Sequence, residues 1–189
     1  KLMGERILQD FSNANPDFKI ISLRYFNPVG AHESGLIGES PINKPNNILP
    51  VICNSAETGE EMTVFGGDYE TRDGSCIRDY VHVSDIANAH VLSMEYLMGE
   101  NSKSYDVYNL GLGTGNRFEQ KGLTVLEVIN AFEKVNGVKV NYKIGERRQG
   151  DIVEIYSNST KAMKGINWKP TRKVEDMVSS AWKWHKNKI

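Results

Sequence analysis

The chain has 189 residues, with 23 Lys+Arg against 24 Asp+Glu, a formal net charge of −1 and 39% hydrophobic residues. That length supports a real hydrophobic core, and the even charge excludes a global positive field for nucleic acid or an anionic membrane surface, so any anion site must be local. Two cysteines, Cys53 and Cys76, read as reduced thiols without metal-ligand spacing, and the absence of a run of about 18 apolar residues or a signal-peptide pattern at Lys1 to Arg6 predicts a cytoplasmic chain with no membrane partner.

In chain order, Met3, Ile7, Leu8 and Phe11 recur at helical spacing, and Asn13 to Asp17 supplies a turn with Pro16. Phe18 to Phe26 is β-rich and nearly all apolar, which predicts a strand buried on both faces of a parallel sheet. A helix followed directly by such a strand is the rhythm of a doubly wound α/β fold. Asn27 to Asn47 reads as a long loop and a lobe boundary, because Gly30, Gly35, Gly38, Pro41 and Pro45 interrupt it. Next come a short helix from Ile48 to Ala56, a strand at Met62 to Phe65, a polar loop with the turn signal Arg72-Asp73-Gly74, and a strand at Tyr80 to Val83.

Ser84 or Asp85 is the expected N-cap of a helix reaching about Leu97, and Tyr105 to Leu110 is the next strand. Gly111-Leu112-Gly113-Thr114-Gly115 follows it but lacks the spacing and the immediate helix of a dinucleotide loop, so it reads as a connector. Thr124-Val125-Leu126-Glu127 matches a capping box opening a helix that ends near Gly137, and Val138 to Ile144 reads as a strand. Asn158-Ser159-Thr160 matches a glycosylation sequon, taken as chance where no export signal is read. The last helix aligns Val174, Met177, Val178, Ala181, Trp182 and His185 on one stripe, which makes Trp182 a core residue.

The most distinctive stretch is Arg24-Tyr25-Phe26-Asn27-Pro28-Val29-Gly30-Ala31-His32, at the end of the first strand, where open α/β sheets bind ligands. Pro28 biases Asn27 toward an extended backbone, so its amide can face a ligand; a turn in which Asn27 satisfies backbone groups is an equal reading. Arg78 and Arg148 are fork-shaped cations suited to a pyrophosphate, although either alone is more often a surface salt-bridge residue.

This stretch resembles the RYFNxxGAH segment of extended short-chain dehydrogenase/reductases, UDP-galactose 4-epimerases in particular. The same order continues through Pro45 to Pro50, Val64-Phe65-Gly66-Gly67-Asp68-Tyr69, Asp73 to Val83, Asn109-Leu110-Gly111 and Arg147-Arg148-Gln149-Gly150-Asp151. The resemblance implies the C-terminal part of a doubly wound Rossmann-like domain plus a smaller α/β substrate-binding lobe. On that view residues 1–27, with 78–98 returning, belong to the NAD-binding domain, residues 28–189 form mainly the UDP-sugar lobe, and the glycine-rich NAD half is absent. Asn116 to Gly122 stands out as an insertion relative to the family.

Carried over position by position, the resemblance implies that Arg78 and Arg148 hold the UDP diphosphate and that Phe65 lies against the uracil. Asp151 accepts from ribose hydroxyls, Asn27 and Asn47 bond sugar and phosphate, and Ile48 and Val64 complete the substrate contacts. Ile155 takes a place where a bulky aromatic narrows the sugar pocket and a small residue admits N-acetyl groups. It is intermediate, so sugar breadth stays open. Lys1 aligns with the lysine of the family's Tyr-x-x-x-Lys pair, whose spacing puts both groups on one helix face, and Lys1, Tyr25 and Phe26 are the implied NAD contacts.

The implied reaction interconverts UDP-galactose and UDP-glucose: the upstream tyrosine takes the 4-hydroxyl proton while hydride passes from carbon 4 to NAD, and the keto-sugar turns over before hydride returns. The pair's tyrosine and the NAD loop are not among these residues, so the chain alone is expected to bind NAD poorly and not to turn over. A homodimer is the family's habit. The rivals are another nucleotide-sugar epimerase or dehydratase on this scaffold and a non-catalytic nucleotide-sugar binding module.

Overall fold

The computed structural model describes residues 1–100, 102–113 and 122–188. In chain order the elements are α1 (Leu2–Ala14), β1 (Ile20–Tyr25), β2 (Asn27–Val29), α2 (Ile48–Thr58), β3 (Met62–Phe65), β4 (Ile77–Arg78), β5 (Tyr80–His82) and α3 (Val83–Met98). They continue with β6 (Tyr105–Leu110), β7 (Leu123–Thr124), α4 (Val125–Asn136), β8 (Tyr142–Gly145), α5 (Thr160–Gly165) and α6 (Val174–Asn187). The fold is mixed α/β, as expected. The proposed insertion at Asn116 to Gly122 lies almost wholly outside the described residues, as do Thr114 and Gly115 of the glycine-rich connector.

Strands pair in twos: β1 with β6, β2 with β5 and β3 with β8 are parallel, and β4 with β7 is antiparallel. A parallel pair needs a long crossover, and here helices supply much of it. One core gathers Leu49 and Ile52 of α2, Val64 of β3, Ile129 and Phe132 of α4, and Met177 and Val178 of α6. A second gathers Val81, Ile86, Ala89, Tyr108, Leu110 and Trp168.

Where one local signal settles an element, the structure follows it. Thr124 accepts the Glu127 N–H and Glu127 accepts the Thr124 N–H, so the capping box is complete. On α6, Met177, Val178, Ala181 and His185 are buried, and Trp182 meets Phe132 edge-on at 5.5 Å between centroids.

Three expectations are corrected. β1 is not buried on both faces: among the described residues it pairs with β6 alone, and Arg24 and Tyr25 at its end are exposed. Asn27 to Val29 is not loop but strand, because the extended bias before Pro28 is realised against β5, with Asn27 opposite Tyr80. The cap of α3 is neither Ser84 nor Asp85 but His82, whose Nδ1 accepts the Ser84 N–H at 3.0 Å. Asp85 is otherwise engaged. Its buried carboxylate accepts from the Thr171 hydroxyl at 2.9 Å and from Arg172 Nη1 at 2.5 Å, tying α3 to the approach to α6.

Because His82 Nδ1 is an acceptor, its Nε2–H points to Ser180 Oγ on α6, 3.1 Å away. Burial first, then the Arg172 charge, lowers the His82 pKa below its ordinary 6.5 against the opposing pull of Asp85 and Asp176. The unfolded chain therefore takes up this proton before the folded one does. Folding stability is expected to be insensitive to this group above pH 6.5 and to fall as pH drops below it, measured as urea midpoints between pH 7.5 and 5.5. His82→Asn, which keeps a capping acceptor without the titration, should flatten that part of the profile.

Candidate active site

Parallel pairing brings the ends of β3 and β8 side by side, Phe65 opposite Gly145. The chain leaving β8 then crosses to β4, where the Ile77 N–H donates to the Val153 carbonyl at 2.9 Å and the Ile155 N–H to the Ile77 carbonyl at 3.2 Å. Between these anchors Arg148-Gln149-Gly150-Asp151 folds into a turn, the Asp151 N–H reaching the Arg148 carbonyl at 3.2 Å. Gly150, at φ +80°, sits where such a turn needs a positive dihedral. The turn returns Asp151 to the side of its own Arg148.

Four predicted residues meet here. The Arg148 guanidinium carbon lies 4.8 Å from the Phe65 ring centroid, and its Nε donates to Asp151 Oδ2 at 3.4 Å. Arg78 Nη2 donates to Asp151 Oδ1 at 2.9 Å, while Nη1 holds the Ile77 and Ile152 carbonyls at 2.9 and 2.7 Å. Three of the five Arg78 donors are so engaged, which fixes the guanidinium plane and leaves two for a ligand. Two cations share one carboxylate, so the cluster keeps a surplus positive charge in a chain of net charge −1. Phe65 is 42% exposed, an aromatic face open beside that charge.

Ile155 is brought to the same rim by its backbone bond to Ile77 and is 39% exposed. Val64 stands apart from the other predicted contacts: its side chain is 1% exposed and belongs to the core beneath Phe65. Asn27 is half-buried in β2, and its N–H donates to the Asp79 carbonyl at 2.9 Å. Asn47 is the N-cap of α2 but makes no side-chain cap bond, and its Nδ2 donates to Glu39 at 2.7 Å; Ile48, the first residue of α2, is half-buried.

The residues expected to meet a cofactor lie at the far end of β1. Tyr25 is 45% exposed, and Phe26 is half-buried with its N–H on the Leu110 carbonyl at 3.2 Å. Lys1 is exposed at the start of α1, its carbonyl accepting the Glu5 N–H. Glu5 grips Arg24 through two bonds of 2.7 and 2.5 Å, which ties the first turn of α1 to the end of β1. Lys1 thus starts a helix held to the strand end that carries Tyr25.

Two side chains escaped the sequence reading. Asp79, fully buried between Arg78 and Tyr80, accepts the N–H groups of Leu112 at 2.7 Å, Gly113 at 3.1 Å and Ser157 at 2.8 Å. The Leu112 and Gly113 amides of the connector therefore bind the protein's own carboxylate, and the Gly111 amide bonds Ser159 Oγ at 3.3 Å. The available signal was an acid set between two short β segments, Ile77–Arg78 and Tyr80–His82. The second is His90, whose ring nitrogen stands 2.7 Å from the Tyr25 hydroxyl. Its other ring nitrogen lies 2.9 Å from the Ile86 carbonyl and so carries the proton, which makes Tyr25 the donor. No sequence spacing pairs a strand-end tyrosine with a helical histidine.

A match to the family described as NAD dependent epimerase/dehydratase covers residues 1–111, more than half of the chain. The chain belongs to this family. Within it, the UDP-glucose 4-epimerase of Erwinia amylovora is 46% identical over 185 residues, 97% of this chain and 52% of that protein. The UDP-glucose 4-epimerase of Stenotrophomonas maltophila, solved with NAD and formylated UDP-arabinopyranose, superposes at a TM-score of 0.90 with 42% identity, over 98% of this chain and 53% of that one. That of Bifidobacterium longum, solved with NAD+ and UDP, gives 0.88 with 43% identity, over 99% and 53%. This family member spans about half the length of the curated relatives it matches.

Among the described residues no group of side chains is arranged to hold a metal ion, and no helix is long and apolar enough to cross a membrane. For the family's NAD, the fit of the described residues is one-sided. The Leu112 and Gly113 amides are taken by Asp79, whereas the exposed Tyr25 ring, at the strand end that Glu5 and Arg24 tie to α1, is available to a flat cofactor head.

Proposed function

We propose that this chain is the UDP-sugar-binding part of an NAD-dependent UDP-glucose 4-epimerase, interconverting UDP-glucose and UDP-galactose at carbon 4. The observation that carries the reading is the convergence of Phe65, Arg78, Arg148 and Asp151: a half-exposed aromatic ring, two guanidinium groups with free donors, and a carboxylate between them. A pyrimidine base stacks on such a face, and a diphosphate accepts from such forks while a ribose diol donates to the acid. Asn27, Asn47 and Ile48 are assigned to the sugar and phosphate, and Ile155 to sugar size. Epimerases related in sequence are solved with UDP and with a UDP-sugar, which supports the assignment.

Residues 1–27, with 78–98, are assigned to the cofactor domain and 28–189 mainly to the UDP-sugar lobe. NAD, when bound, supplies the acceptor and return donor for the carbon 4 hydride. Tyr25 and Phe26 would wall its nicotinamide, and the Lys1 ammonium would favour the ionised form of a neighbouring tyrosine. UDP is the handle that keeps the sugar in place. Calorimetric titration of the protein with UDP and with uridine tests the site. UDP should bind at least about 100-fold more tightly, because uridine lacks the charge the arginines recognise. Equal affinities, or no binding of UDP, would sink the reading.

A further inference from the structure

Arg148, one of the two cations assigned to the diphosphate, is loosely held in itself. Its side chain is 57% exposed, and among the described residues it makes one hydrogen bond, Nε to Asp151 Oδ2 at 3.4 Å, besides its contact with the Phe65 ring. Arg78, with three donors engaged, needs no further support. A long cation with so few ties loses rotamer freedom when a ligand orders it, and that loss lowers affinity.

The residue before it is held differently. Arg147 Nε donates to Asp68 Oδ1 and its Nη2 to the Asp68 carbonyl, both at 2.7 Å, and its guanidinium carbon lies 4.3 Å from the centroid of the Tyr69 ring. Those partners are themselves fixed. The Tyr69 ring is buried, and a Cβ on Gly66, at φ +75°, would stand 2.2 Å from one of its carbons, so the ring fits only over glycine. The Gly66 N–H donates to the Gly145 carbonyl and the Tyr69 N–H to the Gly74 carbonyl, both at 3.0 Å. Further along the same segment, Arg72 grips Glu127 of the α4 capping box through two bonds of 2.9 and 2.6 Å. The segment under Arg147 is thus tied to β8 at one end and to α4 at the other.

The Arg147–Asp68 pair does little to hold the fold. Its side chains are 48% and 74% exposed, and ion pairs in water contribute little to stability. What the pair does fix is the chain immediately before Arg148; immediately after it, the bond from the Asp151 N–H to the Arg148 carbonyl closes the turn. We propose that Arg147 is a positioning residue: clamped to Asp68 and the Tyr69 ring, it sets the point from which Arg148 departs, so that the Arg148 guanidinium is aimed at a diphosphate before the ligand arrives. This rests on the UDP reading of the site. Arg147 acts through Arg148 and does not itself touch the ligand.

Charge and position make opposite predictions at Asp68. If the pair acts only through its field, removing the acid leaves the site more positive and UDP binds more tightly. If Asp68 steadies Arg147, removing it weakens UDP. Asp68→Ala is therefore expected to lower UDP affinity about threefold, and Asp68→Asn, which keeps the accepting oxygen, to recover it. Arg147→Lys keeps the charge and loses the fork, and should lower UDP affinity about fivefold while uridine affinity and the melting temperature of the free protein stay level. In an Arg148→Ala background the same lysine should cost nothing more, because the side chain that Arg147 aims is gone. Calorimetry with UDP and uridine, and thermal melts, on wild type and these variants decide the matter. Tighter UDP binding by Asp68→Ala overturns the proposal, as does a parallel drop in affinity and melting temperature in Arg147→Lys. So does a loss in Arg147→Lys that persists without Arg148, which would mean that Arg147 meets the phosphate directly. Wild-type protein that fails to bind UDP overturns the UDP reading itself and this proposal with it, whereas binding by wild type and equal binding by Arg147→Lys removes only the proposal.

Discussion

Replacing Arg78 by alanine is expected to weaken UDP binding about 100-fold, roughly 2.8 kcal/mol at about 1.4 kcal/mol per tenfold. The residue offers two free donors on a guanidinium whose other donors are fixed to Asp151 and two backbone carbonyls, so the fork is aimed before the ligand arrives. Uridine should bind Arg78→Ala nearly as well as it binds wild type, since the proposed site sets the base on Phe65 and not on the arginine. Arg78→Lys should fall between, keeping the charge but losing the planar fork. Titrations with UDP and uridine on the three proteins read the ratio directly, and a UDP loss matched by an equal uridine loss would mean that the alanine had disturbed the pocket as a whole.

Asp79→Ala should cost about 4 kcal/mol of folding stability or more. Three backbone N–H groups, of Leu112, Gly113 and Ser157, depend on that carboxylate in a place water does not reach, and each unpaired buried donor costs about 1–3 kcal/mol. Losses of this size approach the whole stability of an ordinary domain. Chemical denaturation monitored by circular dichroism measures it. Asp79→Asn, nearly the same shape, should recover only part, because its amide nitrogen would face a donor. A loss below about 1 kcal/mol in Asp79→Ala would show that the three amides find other acceptors.

Legibility followed the reach of the forces involved. The Thr124–Glu127 capping box, the α6 stripe and the glycine-interrupted polar loop before β4 are decided within a few residues, and the chain shows them plainly. The meeting of Arg78, Arg148 and Phe65 around Asp151 was legible only through resemblance to a family, since side chains far apart in sequence carry no periodic signal of their meeting. What stayed hidden was set by tertiary competition. Asp85 looked like a helix cap, but Thr171 and Arg172 claim its carboxylate, and a buried histidine caps α3 instead. Asn27 to Val29 looked like loop because a strand of three residues is too short to show alternation. Val64 was grouped with its exposed neighbour Phe65, although adjacent strand residues face opposite sides.

The pairing of the strands has a bearing on how the chain acquires its shape during synthesis. Ile20 must wait for Tyr105, Asn27 for Tyr80, Met62 for Tyr142 and Ile77 for Thr124 before any of these ladders can close. None of the four is a hairpin of neighbours, so a nascent chain leaving the ribosome carries open, apolar strand edges until much of the sequence has emerged. Pairing over such separations is expected to slow folding and to leave those edges open to other chains in the meantime.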